Sequence, residues 1–321
     1  MTPDPSLAAL SDRLFSISVA LYSVAVLAFC AQLAFGRRPA RTPELVGAGA
    51  GAPAVPLSPE PAEPAQSRRW GQVAVSVAVL GALTHVGVLV TRGLATGRLP
   101  WGNMYEFGTA MVLVAVVSFL VFAIRMPAVR HLGAFVLGPV VLAMVLIGLF
   151  LYAEAGPLVA ALRSSWLAVH VTSAILGFGI FFVSGIASMA YLARSRYEAK
   201  LAEGTARPDS ILARVPSAAT LDRVAHRTAV FGFPIWTFAV IAGAIWAESA
   251  WGRFWGWDPK ETWAFIAWVV YAAYLHARTT AGWRGRPAAW VNVTGLVVMV
   301  FNLLYVNMVS TGLHSYAGLP K

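Results

Sequence analysis

Eight apolar runs, most of them near the roughly 20 residues that carry a helix across a bilayer, take up most of this 321-residue chain. They predict helices over Leu14–Phe35, Trp70–Val90, Tyr105–Ile124, Leu132–Tyr152, Trp166–Ala193, Thr228–Trp246, Thr262–Ala277 and Ala288–Met308. Hydrocarbon offers no partner to an unpaired backbone N–H or C=O, so such runs must close their hydrogen bonds within themselves. The expected fold is an all-α integral membrane protein of about eight transmembrane helices. Only 12% of the residues are charged, against roughly 25% in a soluble domain.

The charges that remain are sorted by loop. Eight crossings put the odd-numbered loops on one side, and those loops hold 17 of the 24 Lys and Arg residues. By the positive-inside rule they are cytoplasmic, and both termini lie on the extracytoplasmic side. The net charge of +10 thus reflects topology rather than affinity for nucleic acid. Residues 1–69 read as a first helix with a linker rich in Ala, Pro and Gly over Gly36–Arg69, whose composition is that of a disordered segment. Residues 70–321 form the main transmembrane domain. The start of the chain lacks the basic stretch of a secretory signal. Cys30 is the only cysteine. The chain is therefore neither a thiol–disulfide carrier nor a c-type cytochrome with its own CxxCH attachment site.

One external loop stands apart. Trp251-Gly-Arg-Phe-Trp-Gly-Trp-Asp-Pro-Lys-Glu-Thr-Trp263 packs four tryptophans and a phenylalanine into thirteen residues. Indoles favour the membrane surface, but a helix end usually carries one or two. Two readings stand: an unusually rich interfacial anchor, or a flat aromatic platform for a large planar ligand. Asp258 before Pro259, with Glu261 three residues on, reads as a capping box at the start of the seventh helix.

The six histidines divide by depth. His170 lies one turn below Trp166 on the same helix face, and His314 follows the eighth helix; both fall on the side of the Trp-rich loop. Two imidazoles and an aromatic floor are what a six-coordinate iron porphyrin requires. A zinc or copper site is the weaker alternative, since no Cys, Asp or second His lies at tetrahedral spacing. Arg253 or Lys260 suits the haem propionates. His276 sits about 20 Å below Trp263 at about 1.5 Å per residue, either capping its helix end or ligating an inner haem. His85 lies at the wrong depth to pair with it. His131 and His226 read as polar flanks in cytoplasmic turns.

The Trp-rich string resembles the WWD signature of cytochrome c biogenesis proteins, and its ending Trp-Asp-Pro-Lys-Glu-Thr-Trp resembles the CcsA/ResC family (also called CcsB) of System II. Ser165-Trp-Leu-Ala-Val-His170-Val, Tyr274-Leu-His276-Ala-Arg, Gly312-Leu-His314-Ser-Tyr-Ala and Asn103-Met-Tyr-Glu106 are similar to further family segments. Gly97-Arg98-Leu99-Pro100 departs from the family's Gly-His-x-Pro. The resemblance implies a haem export and presentation subunit of a holocytochrome c synthase. It would deliver haem b to the outer face for covalent attachment to the CxxCH of an apocytochrome c, beside a ResB/Ccs1-type membrane partner. It implies that His170 and His314 are axial ligands of an external haem lined by Trp251, Trp255, Trp257, Trp263 and Arg253. It makes His276 a ligand of haem within the membrane, with the partner supplying the other ligand. The alternative from another class is a haem-bearing electron-transfer subunit of cytochrome b type. A third reading is a transporter of some other hydrophobic carboxylate, which leaves the histidines idle.

Overall fold

The computed structural model describes residues 3–36, 64–157, 164–207 and 210–314. Eight long helices stand among those residues: α1 (Pro5–Ala34), α2 (Ala65–Thr96), α3 (Met104–Arg125), α4 (Gly133–Phe150), α5 (Ser165–Ala202), α6 (Ala218–Trp251), α7 (Pro259–Thr279) and α8 (Arg286–Met308). Two short turns of tighter helix, Pro127–Leu132 and Ile211–Arg214, lead into α4 and α6. Most of the linker expected over Gly36–Arg69 lies outside the described residues, as do Arg163 and the tail after His314.

Seven of the eight helices are long and apolar enough to cross a membrane. The seventh run, α7, falls short on hydropathy because much of its apolar surface is indole and phenol, from Trp263, Trp268, Tyr271 and Tyr274. Several helices also outrun their apolar stretches. α1 begins at Pro5 rather than Leu14, with the Asp4 carboxylate accepting from Ser6 N at 2.8 Å. α6 begins at Ala218 rather than Thr228, so His226 lies within a helix and not in a turn. Hydropathy marks where a helix meets lipid; capping and propensity decide where it ends. The polar ends of α5 and α6 are joined by Glu198 Oε1, which accepts from Arg194 Nε at 2.8 Å and from Ala218 N at 3.2 Å.

Small residues let the helices approach closely, as association in lipid demands. α1 and α2 run antiparallel, with Asp4 N donating to Ala95 O, Ser11 Oγ to Val88 O, and Ser67 Oγ to Gln32 O. α5 is central: Phe181 stacks on Tyr271 at 3.5 Å. Asn292 Nδ2 donates to Ser184 Oγ at 2.9 Å and Ser188 Oγ at 2.7 Å, while Ser184 Oγ donates to Ala225 O at 2.7 Å. These bonds tie α8 and α6 to α5. One turn along α5 from the stacked Phe181, Gly185 faces Leu296 so closely that a Cβ would lie 2.7 Å from Leu296 Cβ. Gly185→Val therefore forces the two helices apart. It should lower stability by about 1–3 kcal/mol, read as an earlier thermal unfolding midpoint in detergent.

Candidate functional site

The Trp-rich loop is shaped by two acids. α6 ends at Trp251, where Gly252 turns the chain with φ 69°. α7 begins at Pro259 behind Asp258, and the expected capping box with Glu261 is present. Glu261 does more than cap. Its Oε2 accepts from Gly256 N at 2.8 Å and Asp258 N at 3.1 Å, and its Oε1 accepts from Arg253 Nη1 at 3.1 Å. The guanidinium passes under the loop at Gly256, where a Cβ would stand 2.0 Å from Arg253 Cζ. Trp257 adopts φ 57°, the only positive φ outside glycine among the described residues. A left-handed non-glycine costs roughly 1–2 kcal/mol, so neighbouring bonds must hold it.

Beside this loop opens a cleft of about 110 Å³, lined by α5, α6, α7, α8, Phe107 of α3 and the residues after α8. His170 enters from α5. Its ring lies parallel to Trp246 at 5.8 Å and 10°, over Gly243, where a Cβ would come within 2.7 Å of Nδ1. His170 Nδ1 donates to the carbonyl of Ala239 at 2.8 Å. His314 enters from the chain beyond α8 and meets Trp246 and Trp251 edge-on, at 5.7 and 5.0 Å. Its Nδ1 donates to Asp258 Oδ2 at 2.8 Å. Burial pushes the Asp258 carboxyl up, but hydrogen bonds from His314 and the Leu313 N–H outweigh it and hold the group down at about 2.

These partners settle both tautomers. A carbonyl and an ionised carboxylate can only accept, so Nδ1 carries a proton in both histidines. This is the arrangement found behind metal-binding imidazoles. Among the described residues no group of three or more His, Cys, Asp or Glu could hold a bare ion. Two imidazoles between indole faces thus fit a planar iron porphyrin better than a small metal.

The other residues singled out from sequence divide. Trp251 and Trp255 line the cleft, with Trp246, which the sequence reading took only as a helix end. Had α6 been carried on to Trp251, Trp246 would have fallen inside it, little more than a turn from the loop. Trp257 is 66% exposed and meets Trp255 at 5.7 Å. Trp263 packs on Phe301 at 4.3 Å. Arg253, bound to Glu261, lies over the Trp251 ring at 5.8 Å. Lys260 lines the cleft and donates to Asn302 O at 3.2 Å. His276 is exposed on the last turns of α7, remote from this cleft. His85 is buried against the Tyr22 hydroxyl at 3.2 Å, His226 meets the Tyr274 ring edge-on, and His131 lies by Ala128 O.

A neighbouring pocket that shares His170, Trp246, Lys260 and His314 with this cleft is also lined by Trp101 to Met104, and a third acid fixes that segment. Glu106, fully buried, accepts from Arg98 Nη1 at 2.7 Å, Gly102 N at 2.7 Å and Arg92 Nε at 3.2 Å. Arg98, the departure from the family pattern, thus has a structural role; its Nε also reaches Gly156 O at 3.1 Å.

Fold and site together define a multi-pass membrane protein with a tryptophan-walled, two-histidine cleft at one end of the bundle. Residues 101–314 match the family described as Cytochrome C assembly protein. Curated relatives named cytochrome c biogenesis protein CcsA are 33% identical over 299 residues in Gloeobacter violaceus and 37% identical over 268 residues in Synechococcus sp. strain CC9902. Each alignment covers 77% of this chain and 87% of the relative. The chain belongs to this cytochrome c assembly family, and its role lies in cytochrome c maturation. Among solved structures, a chain titled cytochrome c heme lyase CcmF superposes with a TM-score of 0.63 at 17% identity. The match covers 92% of this chain and 46% of that one, and is a likeness of fold alone.

Glu261→Ala should cost about 1.5–3 kcal/mol, the worth of charge-assisted hydrogen bonds, and free the loop backbone. Faster chymotryptic cleavage after Phe254 or Trp255, with a lower unfolding midpoint, would show it.

Proposed function

We propose that this chain presents haem b on the extracytoplasmic side of the membrane, as the haem-handling subunit of a System II holocytochrome c synthase. The observation that carries the reading is the convergence of His170 and His314 on one Trp-walled cleft, each with its Nδ1 proton already committed. Bound there, haem b supplies two vinyl groups that take up the cysteine thiols of an apocytochrome c CxxCH segment as thioethers.

The side chains around it bind and orient. His170 and His314 would offer their Nε2 atoms to the haem iron. Trp246, Trp251 and Trp255 exclude water and supply flat apolar contact. Lys260 provides the nearer cation for the propionates, with Arg253 behind Trp251. Trp257, exposed beside Trp255, extends the aromatic surface outward, and Trp263 braces α7 against α8. Proximity of thiols and vinyl groups in a fixed cleft accounts for most of the acceleration.

His276, exposed on α7, would hold a second haem within the membrane, with a ResB/Ccs1-type partner packed on that side contributing a further ligand. The loop charges support an orientation with both termini and the WWD loop extracytoplasmic. An electron-transfer subunit of cytochrome b type is the alternative, since two imidazoles at matched depth serve that purpose equally.

Purified with its partner, the wild-type protein should show a bis-imidazole haem spectrum in the oxidised and reduced states. His170→Ala and His314→Ala should each weaken haem retention and perturb that spectrum, with recovery on adding imidazole. A spectrum indifferent to both substitutions would overturn the assignment. Reoxidation of the reduced haem by apocytochrome-independent turnover with a quinol couple would favour the alternative.

A further inference from the structure

His314 lies beyond the end of α8 at Met308, so no helix holds it in place. One carboxylate meets both it and its neighbour Leu313. Asp258 Oδ2 accepts from His314 Nδ1 at 2.8 Å, and Oδ1 of the same group accepts from Leu313 N at 2.7 Å. The chain comes this close because residue 312 is glycine: a Cβ there would stand 2.5 Å from Asp258 Oδ1 and 3.3 Å from Pro259 Cδ. The acid in turn is fixed by its own helix. It caps α7 through Lys260 N at 3.1 Å, and Pro259 restricts the backbone that follows.

We propose that Asp258 is the positioning residue for His314, seating the imidazole at the cleft and strengthening its Nε2 as a donor to haem iron. The inference rests on the haem reading given above. The last residue of the WWD motif thereby acts through the second histidine rather than on the cofactor itself. A carboxylate hydrogen-bonded to the far nitrogen of a ligating imidazole raises its basicity and holds its ring orientation. The negative charge also favours ferric over ferrous iron. His170, with a backbone carbonyl in the same place, lacks that charge.

The test uses the full chain purified with its partner, comparing wild type with Asp258→Asn, Gly312→Ala and His314→Ala. Asparagine removes the charge and keeps one acceptor oxygen, enough for either Leu313 N or the Lys260 N and His314 Nδ1 side but not both. Haem affinity should fall about tenfold or more in Asp258→Asn, within the 10–100-fold range typical of such partners. The ferrous form should gain; a tenfold gain in the ferrous-to-ferric ratio corresponds to about 59 mV. Gly312→Ala, which keeps the carboxylate but crowds it, should weaken haem binding in the same direction, with imidazole restoring the spectrum as it does for His314→Ala. If His314→Ala loses its ligand while the other two variants keep wild-type affinity and midpoint potential, the positioning role is wrong and the haem reading stands. A His314→Ala spectrum identical to wild type would instead overturn the haem reading itself. A lower unfolding temperature in Asp258→Asn with an unchanged midpoint potential would reduce Asp258 to a helix cap and also sink the proposal.

Discussion

A short irregular segment between two membrane helices leaves its backbone N–H groups without helical partners, and at the edge of a bilayer that debt must be met by side chains. Glu261 meets it. One carboxylate takes two loop N–H groups and the Arg253 guanidinium, so the loop has a single shape despite a left-handed tryptophan. The cleft follows from that shape. Trp255 is a wall because the segment between Gly252 and Asp258 is held by Glu261, while Trp251 is placed by the end of α6. Asp258, locked by the same capping box, can then hold the chain beyond α8. The order of dependence runs from Glu261 to the loop, from the loop to Asp258, and from Asp258 to His314.

The neighbouring pocket repeats the principle with a second carboxylate. Glu106 is fully buried, which would be costly for a lone charge, but Arg92, Arg98 and Gly102 N satisfy it. Arg92 also donates to the carbonyl of Ala153. These contacts join α2, α3 and the segment after α4, well away from the Trp-rich loop. The cleft and the pocket beside it are therefore each bordered by a segment fixed by an acid whose hydrogen bonds reach its own backbone. Removing either acid leaves buried donors unpaired, a larger loss than the bonds themselves.

Much of this was legible in the chain. Apolar length gave the helix order, because lipid-crossing runs have no other structure open to them. The capping box at Asp258 and Glu261 was visible as local chemistry at fixed spacing. The histidine pair was visible through topology, which put both residues on the side of the loop. Two things were not. Helix ends were misplaced where polar residues continue a helix past the membrane, which moved His226 into α6 and hid Trp246 from the site. Side-chain direction within the loop was also beyond reach: four tryptophans in thirteen residues read as one platform, yet Trp257 and Trp263 turn away. A glycine at 256 and a positive φ at 257 decide that division, and neither has a sequence signal strong enough to fix ring orientation. Arg98 looked like a departure from pattern until its partner Glu106 was seen.

The two histidines are held in different ways, and the difference bears on what such a cleft is for. His170 sits on the longest helix, stacked on Trp246 and bonded to a main-chain carbonyl of α6, so it moves only if two packed helices move. His314 stands past a helix end, in contact with the Asp258 carboxylate and with two ring edges. A permanent electron-transfer site gains from two equally rigid ligands, since reorganisation on each redox step slows transfer. A site that must hold a cofactor and then surrender it to another protein gains from one anchored ligand and one that can be withdrawn. On the reading proposed above, the asymmetry between a helical and a clasped histidine favours presentation over permanent residence.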